Sequence, residues 1–390
     1  MNKPYSLMNN LLPMSPRNAE EEHRAATPLE LLFDLVSVIA IASAAAGLHH
    51  AIAEAHYADG IVKFVASFFA IWWAWMNYTW FASAYDNDDA LYRILTMIIM
   101  AGALTMAAGI SLFFQSTDIS LIVIGFVIMR FAMAALWLRA AKHDPERRST
   151  ALWYAFGILL VQVYWVALVI WQPLTGSFFY PLFALGAVLE LCVPTLAERK
   201  GISPWHRHHI IERYGLLNII VLGETLLAGS LALQKAAGEH FDMALVHIAL
   251  SSLVILFSMW WLYFSKEDHL KEKTFSSAFI WGYGHFIIYM AGAAVGAGFA
   301  ILVDIVTHHS KVSLLVGDYA VAVPVSLYLL GLWFVRDRLV LQNVARFVLP
   351  IFALVVLISP PLLGLEGIAL IMILCVYIRN LFVCKHANTQ

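Results

Sequence analysis

Runs of about twenty apolar residues, separated by short polar stretches, follow one another along almost the whole chain. A helix rising 1.5 Å per residue needs about twenty residues to cross roughly 30 Å of hydrocarbon. The pattern therefore predicts membrane-spanning helices. Twelve runs stand out, over residues 28–48, 61–82, 92–114, 119–140, 150–171, 178–198, 210–233, 243–264, 276–303, 312–335, 344–363 and 366–385, the last pair hinged at Pro360-Pro361. The predicted fold is all-α, a polytopic membrane protein of about twelve transmembrane helices. Residues 1–27 are polar and mixed in charge, without the basic start, apolar stretch and small-residue cleavage site of a signal peptide, so the first span is expected to be retained.

Lys and Arg fall very unevenly on the two sides of such a bundle. The side of the N-terminus carries 20 of them, the other side only Lys63, Lys235 and Lys311, and Arg130 lies inside a span. Because positively charged loops stay in the cytoplasm, both termini are expected there, in a multi-pass protein of the plasma membrane.

The two halves resemble each other weakly but in order. Glu30 matches Glu212, Trp80-Phe81 matches Tyr263-Phe264, and Ile98 to Ala103 matches Ile287 to Ala293. Leu136-Trp137 then matches Leu332-Trp333, and Leu191-Cys192-Val193 matches Leu374-Cys375-Val376. The expected organisation is a first six-helix repeat over 28–198, a linker over 199–209 and a second repeat with a short tail over 210–390. Six helices per repeat means both enter the membrane in the same direction, as parallel repeats.

Composition agrees with a membrane protein, since 61% of residues are hydrophobic and 13% charged, against roughly 45–50% and 25% in soluble domains. A formal net charge of -2 offers no basic face for phosphates, so nucleic acid is not an expected partner. Cys192, Cys375 and Cys384 lie near the side read as cytoplasmic, where thiols stay reduced and no disulfide framework forms.

Against that apolar background, each charge inside a span asks for a partner, a wet cavity or a task, since it costs about 2.5–3.5 kcal/mol to insert. Glu30 and Asp34 sit one helical turn apart on helix 1, with Ser37 continuing the face. Arg130 falls near the middle of helix 4, Glu190 in helix 6, Glu212-Arg213 at the start of helix 7 and Glu224 near its middle. One reading pairs them as structural glue, Arg130 with Glu224 or Glu190 and Arg213 with Asp34 or Glu30. The other makes Glu30, Asp34, Glu190 and Glu224 a transport or ion path, because the carboxylates outnumber the deep cations. Glu224 is expected to be the deepest of them. The aromatic run WWAWMNYTW in helix 2 reads as packing and interface anchoring rather than as a cage for a cation.

Histidines gather outside the spans, at His49, His50 and His56, at His206, His208 and His209, and at His308 and His309. They are expected to be solvated or headgroup-facing, because their spacing matches no metal motif. Phosphate-binding G-x-x-x-x-G-K-[ST], nucleophile G-x-S-x-G and dinucleotide G-x-G-x-x-G motifs are missing from the sequence. ATP-driven pumping by this chain, ordinary hydrolase chemistry, a catalytic residue, a metal and a cofactor are therefore not expected.

ATPLELLFDLVSVIAIASAAAG, from Ala26 to Gly47, resembles the opening signature of the bacterial low temperature requirement A (LtrA) family, and ERYGLLNIIVLGETLLA, from Glu212 to Ala228, is similar to its later E-R-[FY]-G-L stretch. By that resemblance Glu30, Asp34, Glu212, Arg213, Gly223 and Glu224 fall on family motif positions, while Ser43 stands where a glutamine is common. The family's name records growth in the cold and implies no substrate. A fainter similarity, Arg24 ahead of Phe33-Asp34, is to two-repeat potassium channels, although the serine of their F-S-D is missing here. The leading expectation is a secondary transporter or permease for a small solute, working from the lipid bilayer. A proton or monovalent-cation channel, and a membrane enzyme or lipid-handling protein acting at the cytoplasmic interface through Glu30, Asp34 and the His206–His209 loop, are the alternatives.

Overall fold

The computed structural model describes residues 11–18, 21, 24–236, 242–265 and 275–387. Lys3, Lys266, Lys271 and Lys273, which enter the orientation count, lie outside the described residues, as do the side chains of Lys235, Cys384 and Lys385.

Among the described residues every regular element is helical. In chain order these are α1 (Pro28–Ala53), α2 (Tyr57–Tyr85), α3 (Ala90–Ser116), α4 (Ser120–His143), α5 (Arg148–Thr175), α6 (Phe179–Glu198), α7 (Arg207–Ala236), α8 (Met243–Phe264), α9 (Phe275–Val306), α10 (Leu314–Leu332), α11 (Arg338–Val340), α12 (Val348–Ile358) and α13 (Pro360–Ala387). Nine stretches of the described residues are long and apolar enough to cross a membrane, which makes this a multi-pass membrane protein.

Nine differs from the twelve expected runs for definable reasons. α5 and α6 join through the tight turn Gly176–Phe178 into one apolar stretch of 51 residues. A straight helix of that length would measure about 75 Å, and the two helices instead pack against each other. α12 and the turn before it form a shorter apolar helix, Asn343–Ile358. Several side chains of α7 lie outside the described residues.

The helix ends follow local chemistry. Thr27 and Glu30 form a capping box at the start of α1: the Glu30 carboxylate accepts from the Thr27 amide at 2.8 Å, and the Thr27 hydroxyl accepts from the Glu30 amide at 3.3 Å. Pro28 takes the first helical position, where its missing N–H is no loss. Asp89 caps α3 by accepting from the Tyr92 amide at 2.8 Å, and Asp242 caps α8 by accepting from the Ala244 amide at 2.8 Å. α13 is interrupted at Gly364, whose φ of 57° and ψ of -157° leave the helical region.

The chain divides into two compact units, residues 1–40 with 69–213 and residues 41–68 with 214–390. In the first unit α3 packs on α4, α4 on α5 and α5 on α6. A Cβ added at Gly125 would lie 2.5 Å from the Gly102 carbonyl oxygen and 2.6 Å from the Met106 amide nitrogen, so α3 and α4 touch backbone to backbone. In the second unit α9 packs on α10, α10 on α12 and α8 on α13. There a Cβ at Gly298 would meet the Ala320 carbonyl oxygen at 2.5 Å. The outward faces are apolar: on α5, Leu160 is 72% and Val163 66% exposed, while Gln162 turns inward.

Replacing Gly125 by Ala is expected to destabilise the protein by about 1–3 kcal/mol, the usual cost of overpacking. The same change at Gly223, where nothing lies within 4 Å of the added Cβ, should leave stability unchanged or raise it by up to about 1 kcal/mol. Thermal melting in detergent separates the two, and equal melting temperatures would contradict the close α3–α4 contact.

Candidate functional site

Two fully buried clusters of charge lie within the first unit. The first is built on the opening turns of α1. Asp34 Oδ1 accepts from Arg213 Nη2 at 2.7 Å and from the Trp75 indole at 2.7 Å. The Arg213 guanidinium lies 6.0 Å from the Trp75 ring centroid and 3.5 Å from the Thr79 hydroxyl. One turn earlier, Glu30 divides its carboxylate between the cap of α1 and the His209 ring, whose Nε2 lies 3.0 Å from Oε1. Glu30, Asp34, His209 and Arg213 are all 0% exposed. Asp34 Oδ2, Arg213 Nε and Nη1 and His209 Nδ1 have no hydrogen-bond partner among the described residues. Buried polar atoms are normally hydrogen-bonded, so these leave donor and acceptor capacity within the cluster.

His206 seats this cluster. Its Nδ1 accepts from the His209 amide at 3.2 Å, capping α7, which assigns the ring proton to Nε2 and makes it the donor to the Glu21 carbonyl at 2.6 Å. Its own amide donates to the Ser83 hydroxyl at 3.0 Å. The expectation of solvated histidines is therefore corrected for His206 and His209, both buried, while His208 is exposed. Nearby, Arg24 closes the end of α2 by donating to the carbonyls of Ser83 and Ala82, with the Asp86 carboxylate at 4.0 Å.

The second cluster joins α4, α6, α2 and α5. Glu190 Oε2 accepts from Arg130 Nη2 at 3.0 Å and from the Trp73 indole at 2.8 Å, and Oε1 accepts from the Trp165 indole at 3.2 Å. Arg130 also faces the Phe126 ring at 5.2 Å. Glu190 is thus neutralised and fully satisfied. It borders a narrow cavity of about 20 Å³ walled mainly by aromatic rings, Phe69, Trp73, Phe126 and Trp165 among them. Both amide atoms of the buried Gln162, one turn from Trp165, lack a partner among the described residues.

The sequence-predicted residues thus separate. Glu30, Asp34 and Arg213 come together, and Glu190 meets Arg130. Glu212 is exposed and accepts from the Ala26 amide at 3.3 Å. Glu224, expected to be the deepest carboxylate, is only half-buried and pairs with no described residue, because it faces away from the buried side of α7 formed by Val221, Leu222 and Thr225. Sequence reasoning missed Trp73, Trp75 and Trp165 as parts of these clusters, and joined the His206–His209 loop to Glu30 and Asp34 only in the membrane-enzyme alternative. For the histidines a signal was present, a helix start one residue after His206; for the indoles, the two-residue spacing of Trp73 and Trp75 already pointed them to different faces of α2.

In the second unit, Asp337 accepts from Arg336 Nε at 2.6 Å and from Arg379 Nε at 2.8 Å, and Arg336 also donates to the carbonyls of Leu262 and Tyr263 at the end of α8. Arg379 donates to the Ser265 hydroxyl as well.

Two measurements test these clusters. Removing either partner of the Arg130–Glu190 pair strands a buried charge, so Glu190→Gln or Arg130→Met should each cost about 3–5 kcal/mol, and the double variant should recover much of it. Additive losses in a double-mutant cycle would contradict the pairing. Outside the spans, burial pushes the Asp86 carboxyl up to about 6 from 3.8, helped by the charge of Glu30 and opposed by Arg24. The folded chain then keeps a proton that the unfolded chain has released, so this stability is present below about pH 4 and lost as pH rises through about 6. Asp86→Asn should flatten the melting temperature between those pH values, and an unchanged slope would count against it.

Comparison with known proteins follows the same lines. The chain is similar to an uncharacterised protein, RA0937, of Rhizobium meliloti (strain 1021), with 25% identity over 72% of this chain and 70% of that protein. The family described as bacterial low temperature requirement A protein matches residues 25–381, a range that holds both buried clusters, from Glu30 to Arg213. The chain belongs to the bacterial low temperature requirement A family.

Proposed function

We propose that this protein is a proton-coupled secondary transporter, with its coupling site at Glu30, Asp34, His209 and Arg213. One observation carries the reading: two carboxylates, Glu30 and Asp34, share a fully buried site with one guanidinium. The neighbouring Arg24 and Asp86 offset each other. The site is therefore one positive charge short, and a single proton, taken by the His209 imidazole or by Asp34, brings it to neutrality. Buried charge imbalance is costly in hydrocarbon, so such a site binds and releases a proton as its surroundings open and close. Asp34 Oδ2, without a partner among the described residues, is the atom to receive it.

The transport reading rests on twelve spans arranged as two parallel six-helix repeats with both termini cytoplasmic. Support for the repeat comes from matching braces. In the first unit Arg130 of α4 meets Glu190 of α6, the fourth and sixth expected spans. In the second, Asp337, in the turn just past α10 and the tenth expected span, meets Arg379 of α13, in the twelfth. In this reading Glu190 is a brace, and Glu224 stands on the same helix as Arg213, beyond the coupling site.

The test is proton movement in proteoliposomes loaded with a pH-sensitive dye and challenged with pools of amino acids, sugars, organic acids and alkali salts. A solute-dependent pH change is expected for the native chain. Asp34→Asn should abolish it while solute exchange at equal concentration survives. Solute uptake that ignores pH, or steady currents without any solute, would overturn the proposal.

A further inference from the structure

In the second unit, α8 and α13 pack together and leave a groove of about 520 Å³ between them. Val254, Phe257 and Trp261 line one wall and Ile373, Tyr377 and Asn380 the other. Each set recurs at helical spacing, so each is one continuous face of its helix. Both walls belong to stretches apolar enough to cross the membrane, Met243–Phe264 and Pro360–Val383, and Phe257, Trp261 and Tyr377 are 58%, 52% and 60% exposed. The groove therefore opens on hydrocarbon.

Its walls change character along their length. Val254 and Ile373 are aliphatic, whereas Trp261 and Asn380 each stand three residues before the end of their span, at Phe264 and Val383, with Tyr377 one turn before Asn380. Indole, phenol and carboxamide donors thus gather at the end where a bilayer turns polar. Aliphatic walls that lead to polar donors at the membrane edge repeat the order of a phospholipid, acyl chain first and ester carbonyls at the boundary.

We propose that this groove is a phospholipid site, with an acyl chain lying along Val254, Phe257 and Ile373 and the glycerol ester carbonyls accepting hydrogen bonds from Trp261, Tyr377 and Asn380. The lipid fills the seam beside the Arg379–Ser265 contact, so its occupancy supports the packing of α8 on α13.

The full chain in nanodiscs of phosphatidylcholine, doped with phosphatidylcholine that carries a mid-chain diazirine, tests this. Photolabelled peptides should concentrate at residues 254–261 and 373–381, about tenfold above the outward face of α5 at Leu160 and Val163, as a site favoured by 1.4 kcal/mol over bulk lipid requires. Ile373→Trp or Val254→Phe fills the slot and should remove that excess while labelling of α5, the control for folded and inserted protein, stays constant. Even labelling of all lipid-facing helices, or an excess unchanged by both variants, would overturn the proposal. A disulfide between copies formed through Trp261→Cys in the same nanodiscs would also overturn it, by assigning the groove to a second chain.

Discussion

A charged side chain carried into hydrocarbon must find its counter-charge within the protein, and among the described residues buried arginine–carboxylate contacts between distant parts of the chain meet that demand. Arg213 reaches Asp34 across 179 residues of sequence, Arg130 reaches Glu190 across 60, and Arg379 reaches Asp337 across 42. Each joins separate helices, so each fixes a rotation and a depth that apolar packing alone leaves free. Association of helices in lipid lacks the hydrophobic drive available in water. Specific polar contacts and close glycine crossings, such as Gly125 on Gly102, take its place.

The two clusters in the first unit use the same ingredients to different ends. Glu190 receives three donors, one guanidinium and two indoles, and both its oxygens are satisfied. Asp34 receives one guanidinium and one indole on a single oxygen, and its second oxygen has no described partner. The first arrangement is suited to bracing, because changing its charge would leave Arg130 stranded. The second keeps capacity for a further ligand, and the imidazole of His209 one turn away supplies a second group able to take a proton.

Glu30 shows how one residue serves two levels of structure. Its carboxylate closes the first turn of α1 and at the same time meets His209. The start of α1 and the start of α7, where His206 caps the helix, are therefore fastened by neighbouring residues. A change of protonation at His209 would act on both helix ends at once.

Much of this was legible in the sequence. Apolar run length fixed the helical class and most helix positions, because crossing hydrocarbon constrains length and composition residue by residue. The run Thr27 to Glu30 is a capping signature readable without a structure, and Asp34 and Arg130 were marked by the cost of their burial. What only tertiary structure decided was which partner each charge takes and which way each side chain faces. Arg130 had two carboxylates within its expected reach, Glu190 and Glu224, and helix rotation turned Glu190 inward and left Glu224 half-buried. His209 looked like a loop residue until α7 began at Arg207 and drew it inside. Sequence fixes the cost of placing a charge in the membrane, whereas rotation and packing of neighbouring helices, set by contacts distant along the chain, determine how that cost is met.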